Sequence, residues 1–253
     1  MSIYITGDTH GDFKRFSKKQ LSKLAFKLNK EDYVIISGDF GLLWEHDKEF
    51  EYNLNWLGSL PFKILWIQGN HENYNMIAEY PLEKWHGGNV RHIVRDKIIL
   101  LERGQVFNIN GKTFFTFGGA ESNDIQGGIL NREESNFKIK KNMFKKKGLN
   151  FRILNESWWE AELPTQKELD TGLYNLGAYD FNVDYIITHC APLSLQNKLN
   201  ISEEKKKVNN LTQYLEFIER FADFKHWYFG HYHDDLVIDN NHTLVYKNII
   251  KIA

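Results

Sequence analysis

Ile3-Tyr4-Ile5-Thr6-Gly7-Asp8-Thr9-His10-Gly11-Asp12 opens the chain with a β-type run that stops on glycine, then offers a carboxylate and an imidazole two residues apart. That order reads as a strand emptying into a metal site. Four later runs end in the same manner: Tyr33-Val34-Ile35-Ile36 on Ser37-Gly38-Asp39, Ile64-Leu65-Trp66-Ile67 on Gly69-Asn70-His71-Glu72, Tyr185-Ile186-Ile187-Thr188 on His189, and Trp227-Tyr228-Phe229 on Gly230-His231-Tyr232-His233. Parallel strands bring their carboxyl ends to one edge of a sheet, so metal-capable side chains at successive strand ends converge.

The composition sets the frame for that site. The 253 residues suit a single domain spanning 1–253, large enough to bury a full core. A formal charge of −1 supplies no global field for nucleic acid or an anionic membrane, so a polyanionic substrate must be caught locally. No apolar run reaches the roughly 18 residues needed to cross a bilayer, and the first residues lack the charged-then-apolar layout of a signal peptide. The single cysteine, Cys190, cannot form an internal disulfide. Together these features predict a cytoplasmic protein with no membrane contact.

Helical periodicity over 13–28, with Phe13, Phe16, Leu21, Leu24, Ala25 and Leu28 on one face, and again over 45–57, makes the start of the chain a βαβα pattern that closes a parallel sheet. Past the third motif the pattern changes to short strands at 90–94, 98–101, 106–109 and 113–117, with Asn110-Gly111 as a hairpin turn, and predicts a mostly antiparallel region. Periodicity fails over 121–163, which includes the basic run 138–147 and Ser157-Trp158-Trp159. A long irregular segment in a compact domain is usually functional, which makes 121–163 an insertion or cap at the site's rim. A helix follows at 165–178, capped by Thr165 with Glu168 three residues on. Beyond it the sequence predicts a strand at 184–188, a helix at 202–221, a strand at 227–229, a closing hairpin and a last strand at 248–252.

The candidate ligands are Asp8, His10, Asp39, Asn70, His189, His231 and His233. One divalent ion takes about four to six ligands, so seven gathered in one place imply two divalent metal ions. Carboxylates mixed with imidazoles favour Mn, with Fe or Zn next, over Ca or a thiolate-bound metal. Taken singly, each motif has an ordinary explanation: Asp8-Thr9-His10 a capped loop, Gly38-Asp39 a turn, His189 a satisfied core histidine. Their recurrence at successive strand ends is what argues for a site. His46, His86, His226 and His242 read as surface or structural, and Cys190 as a bystander of His189. The run 138–147 reads as a solvated face.

Asp8-Thr9-His10, Gly38-Asp39, Gly69-Asn70-His71-Glu72, His189 and Gly230-His231-Tyr232-His233 resemble, in order and spacing, the motifs of the calcineurin-like metallophosphoesterases. The resemblance covers nearly the whole chain and implies an α/β (α+β) fold, a four-layer αββα sandwich with mixed sheets. It implies further that Asp8, His10 and His233 hold one metal, that Asn70, His189 and His231 hold the other, and that Asp39 bridges them. His71 would steady the phosphate or protonate the leaving oxygen, with Asn70 beside it. The implied activity is hydrolysis of a phosphomonoester or phosphodiester, such as a nucleotide, by metal-activated water. One departure stands out. In the protein phosphatase branch the Gly-Asp motif continues into an arginine that grips phosphate, whereas here Phe40-Gly41 follow, and the chain is more similar to small bacterial and phage members. Arg132 and Arg91 are candidates to replace that arginine. The rival readings are a nuclease acting on DNA or RNA, which near-zero charge disfavours, and a non-catalytic metal-binding scaffold, which the full set of ligand types disfavours.

Overall fold

Within Ile3-Tyr4-Ile5-Thr6 every residue is buried, which is how a strand covered on both faces reads. The computed structural model describes residues 1–199, 201–202 and 206–253. In chain order the first strands are β1 (Ile3–Thr6), β2 (Tyr33–Ile36), β3 (Lys63–Trp66), β4 (Glu83–Trp85), β5 (Gly88–Val94) and β6 (Ile98–Leu101). They are followed by β7 (Gln105–Ile109), β8 (Lys112–Phe117), β9 (Ile129–Leu130) and β10 (Arg152–Ile153). The last are β11 (Asn182–Thr188), β12 (Asp223–Phe229), β13 (Leu236–Val237), β14 (His242–Leu244) and β15 (Ile250–Lys251). Among the described residues they form a seven-stranded sheet in the order β15-β1-β2-β3-β6-β5-β4 and a six-stranded sheet in the order β13-β14-β12-β11-β8-β7. Both are mixed: β1, β2, β3 and β6 run parallel, as do β8, β11, β12 and β14, with antiparallel strands at the edges.

Alternation along the strands sorts the side chains into layers. Ile3, Ile5, Tyr33, Ile35, Leu65 and Ile67 face inward and meet Phe107, Phe114, Ile187 and Tyr228 of the second sheet. Tyr4, Val34, Ile36, Ile64 and Trp66 face outward against Phe50 and Leu57 of α2 (Lys48–Gly58), while α1 (Lys18–Leu21) and α3 (Tyr74–Ala78) complete that layer. On the far side, Phe115, Phe117, Ile186, Trp227 and Phe229 pack under α5 (Gln166–Gly177) and α7 (Asn210–Phe221), which follow α4 (Phe137–Lys147) and α6 (Leu193–Lys198) in the chain. The result is the αββα sandwich that the family resemblance implies. No helix among the described residues is long and apolar enough to cross a membrane.

Four expectations need correction. The helix expected over 13–28 is only a single 3₁₀ turn at Lys14–Phe16 and the one-turn α1, because Ser17 takes an extended conformation and its side chain accepts from the Gln20 amide. Its apolar residues still cover the first sheet, Phe16 fully buried and Leu21, Leu24 and Leu28 partly so. The stretch 121–163 is not irregular throughout: it forms α4, stopped by Gly148 at φ 64°, the small parallel sheet β9–β10, and a 3₁₀ turn at Glu160–Glu162. Its helix carries no apolar stripe to betray it, since Ile139 points to solvent and six lysines fill the remaining turns. The region of short strands is antiparallel within its hairpins, but β6 and β8 join their sheets in parallel. The helix expected at 202–221 begins at Asn210, where Asn209 caps it and forms a capping box with Thr212; positions 203–205 lie outside the described residues. The Thr165–Glu168 capping box and the Asn110-Gly111 hairpin turn are present as expected.

Candidate metal centre

The carboxyl ends of β1, β2 and β3 from one sheet and of β11 and β12 from the other open onto the same place. The loops after β1 and β2 interlock: the Thr9 and His10 amides donate to the Asp39 carbonyl, the Gly11 amide to Phe40, and Thr9 Oγ1 to the Phe40 carbonyl at 2.6 Å. Arg15 braces this loop from behind, donating to Thr6 Oγ1 and to the carbonyls of Gly7 and Asp8. His10, Asp39, His231 and His233 all take positive φ, between 47° and 72°. Side chains other than glycine occupy that region at a cost of about 1–3 kcal/mol each, and such strain gathers at functional sites.

Asp8, His10, Asp39 and His233 each present one ligand atom, all within 4.8 Å of one another, close enough to share one cation. His233 Nε2 stands 3.1 Å from Asp8 Oδ2, and His10 Nε2 stands 3.6 Å from Asp39 Oδ2. The two imidazole nitrogens of His10 and His233 face each other at 3.0 Å. On the other side of Asp39, His189 Nε2 lies 3.5 Å from Oδ1 and 3.1 Å from Asn70 Oδ1, and the His231 ring packs edge-on against His189 at 5.0 Å. Asp39 therefore has one oxygen toward each group of residues. The donor set fits a divalent cation. Asp8 Oδ2 is buried without a hydrogen-bond partner, and two wholly buried carboxylates among histidines are balanced by positive charge.

The motif glycines leave room for these side chains. A Cβ on Gly69 would sit 2.0 Å from Asp39 Oδ1, and one on Gly230 would sit 2.4 Å from Asp8 Oδ1. Further partners aim the ligands. His189 Nδ1 donates to the Ser37 carbonyl at 2.7 Å, which turns Nε2 inward. Asn70 Nδ2 donates to Ser122 Oγ at 3.1 Å, and Ser122 in turn donates to Glu162 at 2.6 Å, so the amide oxygen faces His189. Neither Ser122 nor Glu162 was foreseen from sequence; both lie in 121–163, where no motif marks them.

The electrostatics follow from burial and from Asp39. Burial opposes charge on His189, but Asp39, then Asp8 and the bond to Ser37, outweigh it and hold the metal-free imidazole up at about 9. Burial likewise pushes Asp39 up, yet His189, His71 and His10 draw it far below the usual carboxylate range. Burial and the neighbouring His189 push His231 down to about 3. Glu72 is raised to about 8 by burial and by Asp39. Its Oε1 accepts from the Phe40 amide, which makes it a brace for the Asp39 turn. Burial lifts the Cys190 thiol to about 12, as befits an inert core residue.

His71 lies beside the cluster: its amide donates to Asp39 Oδ1 at 2.7 Å and its ring is 5.5 Å from that of His10. The arginine against it is Arg152, not either one named from sequence. Arg152 Nη2 stands 3.4 Å from His71 Nδ1 and also pairs with Asp124. Since a guanidinium only donates, His71 Nδ1 accepts and the hydrogen of the neutral ring sits on Nε2. Arg132 pairs instead with Glu156 over the Phe137 ring, and Arg91 with Glu102 and the Tyr80 carbonyl. Each is thus committed to its own carboxylate. Among the other histidines, His242 is buried between Asp239 and Glu219, and His46 pairs with Glu79 at the surface.

A family model described as calcineurin-like phosphoesterase matches residues 1–235. No curated protein matches the chain. Among solved structures, the chain is similar to the phosphopantetheinyl hydrolase of Mycobacterium tuberculosis, at 13% identity and a TM-score of 0.46, over 97% of this chain and 88% of that one. It is also similar to a Staphylococcus aureus chain described as a 5′-nucleotidase, in complex with alpha-ketoglutarate, at 12% identity and a TM-score of 0.43, over 97% of this chain and 48% of that one.

Proposed function

The chain belongs to the calcineurin-like phosphoesterase family, and from that premise we propose that it is a hydrolase of phosphomonoesters or phosphodiesters, nucleotides among them, working with two divalent cations. The observation that carries this reading is the convergence of Asp8, His10, Asp39 and His233 ligand atoms within 4.8 Å, with Asn70 and His189 adjoining through Asp39. Asp8, His10 and His233 would hold one cation, Asn70, His189 and His231 the other, and Asp39 both. Bound there, two cations supply charge neutralisation at the phosphate oxygens and activation of water. Manganese suits the donor set first, with iron or zinc next.

The protein's own groups do the rest. His71, with its hydrogen on Nε2, donates to a phosphate oxygen or to the leaving oxygen. The buried walls around Asp39 and His189 exclude bulk water and keep those charges strong. We place 121–163 at the rim of the entrance, within one domain spanning 1–253, because Ser122 and Arg152 reach the site from it. The low count of cysteine, with Cys190 buried, supports a cytoplasmic setting.

The test is hydrolysis of p-nitrophenyl phosphate and bis-p-nitrophenyl phosphate by protein loaded with Mn²⁺, each against an EDTA control. Metal-dependent release of nitrophenolate from at least one is expected. Two cations bound with no turnover of either ester, nor of nucleotides, would turn the reading toward a non-catalytic scaffold.

A further inference from the structure

A cavity of about 400 Å³ opens beside the candidate metal centre, lined by His10, Gly41, Trp44, His71 and Arg152. Gly41 contributes no side chain and can contribute none: its φ is 69° and a Cβ there would sit 2.5 Å from the Gly11 amide. Trp44, 38% exposed, forms one wall and rests edge-on against Trp159 at 5.6 Å. Arg152, on β10, is the cationic side chain of the lining. Asp124 accepts from its Nε at 3.1 Å and pairs with its Nη2, which also meets His71. Its Nη1 has no hydrogen-bond partner among the described residues, and the side chain keeps 23% of its surface exposed. The guanidinium is thus fixed on one edge, and its side chain lines the cavity that His10 and His71 share.

We propose that Arg152 is the substrate-anion contact of this site and biases it toward phosphomonoesters over diesters. The inference rests on the phosphoesterase reading above and deepens it. Near neutral pH a phosphomonoester carries close to two charges on three non-bridging oxygens. Cations held by the candidate ligands would neutralise part of that charge, and an oxygen left turned away from them would be satisfied better by a planar charged donor than by water. In a diester that position is an ester oxygen bearing a substituent. It accepts weakly and sets its bulk against the guanidinium, so the same arginine favours one substrate and disfavours the other. Asp124 holds the guanidinium in register, and Trp44 offers the leaving group an apolar wall.

The experiment uses Arg152→Ala and Arg152→Lys in the full chain, with metal content measured in each. It reads two quantities: binding of inorganic phosphate to the Mn²⁺-loaded protein by calorimetry, and kcat/KM for p-nitrophenyl phosphate and its bis ester. The expected result is phosphate binding weakened tenfold or more in the alanine variant, with lysine intermediate. Monoester kcat/KM should fall ten- to a hundredfold while diester kcat/KM stays level or rises, with metal content unchanged. Unaltered phosphate binding, an equal fall for both esters, or loss of metal in both variants would overturn the proposal, as would a wild-type protein that does not bind phosphate. If neither ester is turned over by wild type yet phosphate binding still depends on Arg152, the hydrolase reading fails and the anion contact stands.

Discussion

On the proposed assignment of His189 as a ligand, loading the centre with metal at neutral pH must expel a proton from it. In the metal-free protein this wholly buried imidazole stays protonated up to about 9, held by Asp39 against the penalty of burial. Coordination through Nε2 requires the neutral ring. Two pH units separate pH 7 from that value, and at about 1.4 kcal/mol per unit the cost is about 3 kcal/mol, or about a hundredfold in apparent affinity. Affinity for Mn²⁺ or Zn²⁺ should therefore climb about tenfold per unit from pH 6.5 to 8.5. Calorimetry at pH 7 in two buffers of unequal ionisation heat should count about one more proton released by the native protein than by His189→Gln. Without metal the sign reverses. A base whose folded value lies above its unfolded 6.5 stabilises fully below pH 6.5, and that contribution is lost as pH rises toward about 9. His231, pushed down to about 3, contributes above pH 6.5 and loses its contribution as pH falls below that. In EDTA the two together put the site's stabilisation at its greatest near pH 6.5. At about 2–4 °C per kcal/mol for a chain of this size, Tm should drop by about 5–10 °C between pH 6.5 and 9. A metal-free Tm that rises over that interval, or a proton count that His189→Gln leaves unchanged, would refute the reasoning.

Three further outcomes are expected. Asp39→Asn keeps an acceptor for the His71 amide but removes the charge between the two groups of ligands, so the variant should fold and lose at least one cation by elemental analysis; retention of both at native affinity would rule out a shared carboxylate. His71→Ala should keep both cations and lose about 10²–10⁴-fold in rate on an unactivated alkyl phosphate, and less on nitrophenyl phosphate, whose leaving group needs little protonation. An equal loss on both would make phosphate positioning its main task. Gly230→Ala forces a methyl group against Asp8 Oδ1 at 2.4 Å and should destabilise the fold by about 1–3 kcal/mol while weakening metal binding, read by a denaturant melt and a metal titration.

The candidate ligands were legible because each lies within four residues of the end of an apolar run, stopped by glycine everywhere except before His189, so the local order that ends a strand also delivers the side chain. The central strands were visible for a related reason, though their division into two sheets came only from the family resemblance: Tyr33-Val34-Ile35-Ile36 and its counterparts are apolar on both faces, which only a strand buried between layers tolerates. What escaped lies in long-range pairing. Nothing near Ser122 announces that it will turn the Asn70 amide, 52 positions away, nor near Arg152 that it will meet His71 at a separation of 81. The exposed helix α4 hid for the opposite reason, having almost no apolar face to reveal its period. At 13–28 the period was real, but one serine cap divided it into short turns.

The candidate centre draws on strand ends from both sheets, and that division acts on the chain while it is being made. Asp8, His10, Asp39 and Asn70 leave the ribosome long before their counterparts, and 119 residues separate Asn70 from His189. At about 5–20 residues per second, the first half-set waits roughly 6–24 s for the second. During that interval the early carboxylate and imidazole side chains would offer a cation only an incomplete shell. On the proposed ligand assignment, tight capture would come only when β11 and β12 have docked, so possession of metal would mark a molecule whose two sheets have come together.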